Sequence, residues 1–494
     1  MKSRHLQGLC GAPPWLKRLG VMGLGMALGF ALVAGGARPI SAAEIAAEVA
    51  APVAGSPGAA PAAAQPEAYT ATVAYVSQFY PLWFSYNQSR FASHNRLVGP
   101  VRVTPLYHIV VAINVDTLYA STFLDLAAQP VVLTIPDTGV TYSILTLDPY
   151  GDIFDSGLPK KAGSYVLTGP GFKGTLPADL PRISMPLNDS ILIFRADKHS
   201  ASGQNQEPAA EKFRASIRMQ ALCDYAKTDC PGGAAHDSSD GSTLILPEIA
   251  FAIPYKSIAD GMVAHEPIKF LQQLQTAVAA PSTPPMSAEA RALSDRFNRL
   301  FGDGSTRQAE FAAGAQAAHS LIVDRYLTHT GSTHWINFTN IGDWGKNVVE
   351  RSAITEFLQY GNGFSTAAYY HTFKDAQGHP LNGSDGQVYV LTFPAGQLPQ
   401  AQRFWSVTAY APETIELIGN SANQYDVASY TPGLQTNADG SLSLYFSAEQ
   451  PPGVPKANWL PVARQPFNLM LRVYGPEGSV ANQTYVPPAI ARKP

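Results

Sequence analysis

Residues 110–119 read VVAINVDTLY, an apolar run that passes directly into Asn114, Asp116, Thr117 and Tyr119. Asn, Asp and Thr are poor strand-interior residues because their side chains compete for backbone hydrogen bonds, so this cluster marks a turn or a site at a strand boundary. On either side the chain is written in short apolar or alternating runs: LYHIVVAIN (106–114), PVVLTIPD (130–137), YSILTLDPYG (142–151), SYVLTGPG (164–171) and SILIFRAD (190–197). Gly, Pro, Asp and Asn punctuate them. That spacing predicts antiparallel sheets in a sandwich or barrel and makes residues 100–200 an all-β domain.

Before this region, Tyr75, Phe79, Leu82, Trp83 and Tyr86 recur at helical spacing, which predicts a helix over residues 69–97 with a kink at Pro81. After it, residues 207–226 return to the helix period with Phe213, Ile217 and Leu222. Residues 258–279, 287–301 and 306–328 follow as amphipathic helices, the last with Phe311, Ala315, Ala318 and Ile322 on one face. A short helix near Val348–Phe357 then leads into strands within TAAYYHTFKDAQG, QVYVLTFPAG, RFWSVTAYAP, SLSLYFSAE and FNLMLRVYGP. Asn437-Ala438-Asp439-Gly440 reads as a hairpin turn. The domain plan is therefore 68–200, a β-sandwich with a leading helix; 201–344, mainly helical; and 345–494, a second β-sandwich. The fold class is β-rich α+β.

The 494 residues are 46% hydrophobic and 14% charged, enough to build real cores and incompatible with a disordered chain. Lys2, Arg4, Lys17 and Arg18 precede an apolar run over 19–37 and the small residues Ser41, Ala42 and Ala43, the pattern of a secretory signal peptide over 1–43. Cleavage after Ala43 is expected, with an uncleaved anchor as the alternative because the run approaches the ~18 residues of a membrane span. Residues 44–67 are Ala/Pro/Gly-rich, with too little apolar surface to offset ordering, and read as a disordered tether. Removing residues 1–43 takes away five basic side chains and no acidic ones, leaving 29 basic against 37 acidic. This balance argues against nucleic-acid and anionic-membrane partners. The expected location is periplasmic or secreted. There Cys223 and Cys230, the two cysteines left after Cys10, are expected to form a local disulfide, since two cysteines alone are too few for a zinc site.

Asp116 is the first candidate for chemistry, as a general base or hydroxyl acceptor with Tyr107, His108 and Tyr119 beside it, while Asn114 and Thr117 bind ligand or close the turn. In residues 404–410, Phe404, Ser406 and Thr408 share one strand face and Trp405, Val407 and Ala409 the other. Trp405 is therefore most simply core, although with Tyr410 it could form a flat wall for an aromatic or sugar-like ligand. Asn458, Trp459, Arg472 and Tyr474 complete the candidates. Arg472 lies inside the apolar strand LMLRVY and must find a partner or reach water, and Asp116 is one conceivable partner. His329, His334 and Asp343, and Asp148, Asp152 and Asp155, lack metal-ligand spacing. No nucleophile elbow, phosphate loop or dinucleotide fingerprint occurs, so no cofactor and no metal are expected.

The ordered runs NVDTLY, PVVLTIPD, YSILTLDPYGD and VLTGPGFKG resemble the domain of unknown function 1254. The later DAQGHPLNG, VYVLTFPAGQLP, RFWSVTAY, DGSLSLYFS, ANWLPV and FNLMLRVYGP resemble its usual partner, the domain of unknown function 1214. The resemblance covers most of residues 75–490. It implies two jelly-roll-like β-sandwich domains with helices between them and no common reaction. The chain departs from the family pattern at Gly139-Val140-Thr141 and at Gly475. Two functions stand at this point: an exported protein binding a small polar or sugar/aromatic-like ligand between two β domains, or a cofactor-independent hydrolase or lyase using Asp116. Jelly-roll pairs often form homo-oligomers, but no interface pattern is legible here.

Overall fold

The helix expected at the head of the folded part is Glu67–Ser89 (α1) in the computed structural model, which describes residues 65–302, 306–384 and 386–493. The segment expected to be a signal peptide, 1–43, and the expected tether up to residue 64 lie outside the described residues. Pro81 sits inside α1, and the helix ends before the expected residue 97. Polar side chains take its last carbonyls: Asn87 Nδ2 donates to Trp83 O at 2.7 Å and Ser89 Oγ to Tyr86 O at 2.9 Å. Side chains that bond local backbone in this way favour helix ends over helix continuation.

The first strands are β1 (Val98–Pro100), β2 (Thr117–Asp125), β3 (Val131–Ile135), β4 (Tyr142–Leu147), β5 (Gly163–Thr168), β6 (Arg182–Ser184) and β7 (Asp189–Asp197). The single helix expected over 207–226 is instead α2 (Glu207–Ser216), β8 (Arg218–Ala221) and α3 (Leu222–Ala226). Ile217 turns extended, and residues 218–221 then pair with Val131–Thr134 along the open edge of β3. Backbone groups at a sheet edge need partners, and this demand overrides the local helix period. With β9 (Leu244–Leu246), the strands form a five-stranded sheet β4-β7-β2-β1-β9 and a four-stranded sheet β6-β5-β3-β8. Leu118, Leu192 and Phe194 from the first and Val131, Leu133 and Leu167 from the second fill one core.

Five helices follow: α4 (Tyr255–His265), α5 (Pro267–Val278), α6 (Ala288–Gly302), α7 (Gln308–Leu327) and α8 (Val348–Leu358). The helix expected over 258–279 divides at Glu266 because Pro267 lacks an N–H and starts a new helix at its first position. The predicted stripe of α7, Phe311, Ala315, Ala318 and Ile322, is fully buried.

The last strands are β10 (Ala367–Thr372), β11 (Val388–Phe393), β12 (Ala401–Tyr410), β13 (Asp426–Ala428), β14 (Leu442–Ser447), β15 (Trp459–Pro461), β16 (Asn468–Pro476) and, after α9 (Gly478–Ala481), β17 (Ala491–Lys493). They form the sheets β10-β16-β12-β13 and β15-β14-β11-β17. Trp405, Val407 and Leu471 meet Leu391, Leu444 and Phe446 in a second core. The Asn437–Gly440 turn is present, with Gly440 at φ +80° and its N–H on Asn437 O at 2.9 Å. It does not close a hairpin, because β13 and β14 belong to different sheets. The long strands pair antiparallel as expected, whereas the three-residue strands β6, β9 and β15 pair parallel. The chain is thus mixed α and β with antiparallel-rich open sheets, and no described helix is long and apolar enough to cross a membrane.

A third core joins the helices to the outward faces of both β units. Tyr75, Phe79 and Trp83 of α1 share it with Ile191 and Ile193 of β7 and with Tyr410, Met470 and Tyr474 of the last sheets. It contains one buried charge network. Glu356 of α8 has no exposed surface; it pairs with Lys256 of α4 and accepts from Tyr80 OH of α1 at 2.6 Å. Asp260 Oδ2 lies 2.8 Å from Lys256 Nζ, and His319 Nε2 of α7 lies 3.1 Å from Asp260 Oδ1. Burial alone would discharge His319, yet the two carboxylates lift its pKa to about 9. Removing Glu356 leaves two cations, Lys256 and His319, on the single carboxylate of Asp260 and strips the Tyr80 hydroxyl of its acceptor. Glu356→Ala therefore costs about 3–5 kcal/mol in urea unfolding, while Lys256→Met with Glu356→Leu recovers most of that loss.

Candidate functional site

Asn114 builds the turn that launches β2. Its Oδ1 accepts from the N–H groups of Asp116 (3.0 Å) and Thr117 (3.1 Å) and from Thr117 Oγ1 (3.0 Å), while its Nδ2 donates to Tyr119 OH at 2.6 Å. Asn114, Thr117 and Tyr119 thus satisfy one another locally.

Asp116 faces the other way. It has no exposed surface, and its carboxylate accepts from Ser406 Oγ (2.9 Å), Tyr474 OH (3.1 Å) and Tyr430 OH (2.7 Å). All three donors come from the C-terminal β unit. Tyr430 OH also lies 3.0 Å from Asp426 Oδ2. One phenol carries one proton and cannot donate fully to both carboxylates, so meeting both contacts takes a second proton, held on a carboxyl. Burial first, and the neighbouring Asp116 second, raise Asp426 to about 7. Asp426 and Tyr430 are partly exposed, and His199, from just beyond β7, stacks on Tyr430 with ring centroids 3.8 Å apart. Burial and the adjacent Lys198 pull the pKa of His199 down, and its Nδ1 has no partner. Arg403 pairs with Asp197 across the same seam.

Arg472, 1% exposed, stands opposite Ser406 in the β12·β16 register. Its Nη1 donates to Thr408 Oγ1 at 3.2 Å, its Nη2 donates to Ala112 O, and its guanidinium lies 5.5 Å from the centre of the Tyr410 ring. The expected ion pair with Asp116 is replaced by these contacts, although both charges sit on one sheet face. Burial opposes the charge of Arg472, while Tyr410, Tyr474 and Asp116 keep it protonated. Tyr410 OH donates to Ile113 O at 2.6 Å. Ala112 (φ +51°) and Ile415 (φ +53°) are joined by an N–H to O bond of 2.9 Å. A β-branched residue in the left-handed region is strained and persists only where its surroundings hold it.

The remaining sequence candidates stand apart. Tyr107 stacks on Phe251 at 5.3 Å, and His108 Nδ1 lies 2.8 Å from Glu416 Oε1, so neither joins the Asp116 hydrogen bonds. Trp405 is inside the C-terminal core. Asn458 ties Gln435 and Ser443 backbone groups together, and Trp459 Nε1 donates to Ser447 O at 3.2 Å. Gly475, one of the departures from the family pattern, has φ +64°, where an added side chain would be strained. Ser406, Asp426, Tyr430 and His199 were not singled out. Only Ser406 had a signal, as a polar residue on the same strand face as Thr408.

A second feature is a small cleft between the loop after β4, α1 and the end of α8. Tyr150, Trp344, Arg351 and Tyr360 contribute to its lining. Arg351 lies 4.3 Å from the Tyr150 ring centre, donates to Gln78 O at 2.7 Å and approaches Asp152 at 3.4 Å. Nε of Arg351 and Nε1 of Trp344 are buried without a hydrogen-bond partner. Asp148, on the same loop, is raised to about 7 by burial and by Asp152.

A crystal structure of a Vibrio parahaemolyticus protein aligns with TM-score 0.54 and 20% identity over 86% of this chain and 100% of that one, a likeness of fold. A Burkholderia cenocepacia protein aligns at TM-score 0.41 and 13% identity over 86% and 94%. No curated protein matches the sequence. Residues 94–221 match the family described as Protein of unknown function (DUF1254), and residues 366–478 match the Protein of unknown function (DUF1214). The chain belongs to the family that joins an N-terminal DUF1254 domain to a C-terminal DUF1214 domain.

Proposed function

We propose that this chain is an exported protein, periplasmic or secreted, with two β-sandwich, jelly-roll-like units, and that it holds a small polar or aromatic-like ligand in the opening between the N-terminal β unit, α1 and α8. The observation that carries the reading is the pair of buried, unpartnered donors, Trp344 Nε1 and Arg351 Nε, on residues that line the opening. Each such group left without an acceptor costs about 1–3 kcal/mol, which a ligand carbonyl or hydroxyl would relieve. Tyr150 and Ile341 supply apolar surface for a flat body. The ligand is expected to be neutral, since Arg351 already faces Asp152.

An acid–base reading, a cofactor-independent hydrolase or lyase, is favoured by a different observation: Asp116 and Asp426 share Tyr430 while Asp426 is raised to about 7. Environments that hold one carboxyl protonated beside an ionised one define acid and base roles.

A thermal-shift screen of sugars, small neutral carbonyl compounds and aromatics tests the first reading. A ligand present at 100 times its Kd adds about 2.7 kcal/mol. Trp344→Phe, which removes only the indole donor, is expected to weaken a hit about tenfold; unchanged affinity would sink the proposed contact. The second reading predicts a pH signature. Asp426 is raised from the ordinary carboxylate range to about 7, so the folded state holds a proton that the unfolded chain releases. Its contribution is present at pH 4 and lost as the pH rises to 7. Melting curves of the wild type and Asp426→Asn should diverge over that window, with the wild type losing stability relative to the variant. A constant difference would show that Asp426 ionises normally and remove it as an acid.

A further inference from the structure

Away from the seam, the turn that follows β8 gathers four metal-ligating groups. Cys223 and Cys230 form the expected disulfide, and their two sulfurs, a carboxylate oxygen of Asp224 and an imidazole nitrogen of His236 all lie within 4.8 Å of one another. His236 Nδ1 is 2.8 Å from Asp224 Oδ1 and 3.5 Å from Cys230 Sγ. The Asp237 N–H donates to Asp224 Oδ1 at 3.1 Å and so fixes that carboxylate.

We propose that these four groups close a zinc site when the Cys223–Cys230 disulfide is reduced. Two cysteines are too few ligands, but the fold adds the third and fourth. With Zn–S near 2.3 Å and Zn–N near 2.0 Å, a tetrahedral site places sulfur and nitrogen about 3.5 Å apart, the separation already present between Cys230 Sγ and His236 Nδ1. The two sulfurs, now bonded to each other, must separate to about 3.8 Å, and His236 Nδ1 and Asp224 Oδ1 must open from their hydrogen bond of 2.8 Å to about 3.3 Å. Gly232 (φ +66°) and Gly233 (φ +69°) lie between Cys230 and His236 and give that segment backbone freedom.

The chemistry balances with a dithiol reductant. Its two electrons and two protons cleave the S–S bond into two thiols, and the reductant leaves as its own disulfide. Zinc then displaces the two thiol protons and is held by two thiolates, one carboxylate and a neutral imidazole. Thiolate and imidazole donors select zinc over calcium or magnesium, which require oxygen ligands. The disulfide and the metal would then close the same segment under oxidising and reducing conditions.

The test uses the full chain carrying Cys10→Ser, so that the pair supplies the only thiols. Zinc content is measured by elemental mass spectrometry on oxidised and dithiol-reduced protein after dialysis, with the oxidised form as the blank for any other zinc-binding group. The reduced form should hold one zinc more than the oxidised form. Cobalt substitution should give the intense visible bands of a tetrahedral thiolate site. His236→Ala and Asp224→Ala should each weaken binding about tenfold or more, and if reduction loosens the chain, zinc should raise its melting temperature. Equal zinc in both redox forms overturns the proposal, and so does full affinity in both variants, which would mean capture by free thiols alone.

Discussion

A buried guanidinium sets the terms for the meeting of the two β units. Arg472 sits in a strand that is otherwise apolar, and an isolated buried charge costs several kcal/mol unless hydrogen bonds and opposite charge answer it. Thr408 and Tyr410 of the neighbouring strand answer only part of that demand. The rest comes from residues 112–116 of the other unit, through the Ala112 carbonyl and the field of Asp116. Asp116, in turn, is itself a buried charge and depends on Ser406, Tyr430 and Tyr474. Each unit therefore holds a charge that only the other can satisfy. Separating them would strand both, which accounts for the strained backbone tolerated at Ala112 and Ile415.

This arrangement decides which parts of the fold were legible in the sequence. The alternation in residues 404–410 was readable because its two faces meet different surroundings, the sheet core on one side and the polar seam on the other. The stripe of α7 was readable because one face packs inward. Strand β7 was seen as an apolar run without alternation, since both of its faces are buried, one in the N-terminal core and one against the helices. Strand β8 was read as helix because its reason for extending is the unpaired edge of β3, some 85 residues earlier in the chain. Local periodicity carries no information about a distant edge.

The site divides in the same way. Asp116, Arg472, Tyr410 and Tyr474 could be named as individuals because each is chemically out of place in its own strand or turn. Their partners could not. Tyr430 and Asp426 lie in an unremarkable loop and a three-residue strand, more than 300 positions from Asp116, and only the fold brings them to its carboxylate. Conversely, Trp405, Asn458 and Trp459 drew attention through residue type, and their contacts show roles in packing and turn closure. Residue type indicates where a side chain needs a partner; it does not say whether the protein already supplies one.

That last distinction separates the seam from the opening beside α8. The Asp116 carboxylate has every donor it needs from within the chain, so a ligand arriving there would have to displace good hydrogen bonds in a dry environment, at a cost comparable to what it gains. Its neighbours Asp426 and His199 are different, because they are partly open and His199 Nδ1 lacks a partner. The opening beside Trp344 and Arg351 is different again, with two buried donors left unanswered on residues that line it. Binding is favoured where the folded chain leaves a debt of hydrogen bonds and an approach from water, and catalysis where a titrating group is held between protonation states. The locked centre of the seam lacks the approach from water. It serves as the rigid frame against which the two open edges keep their geometry.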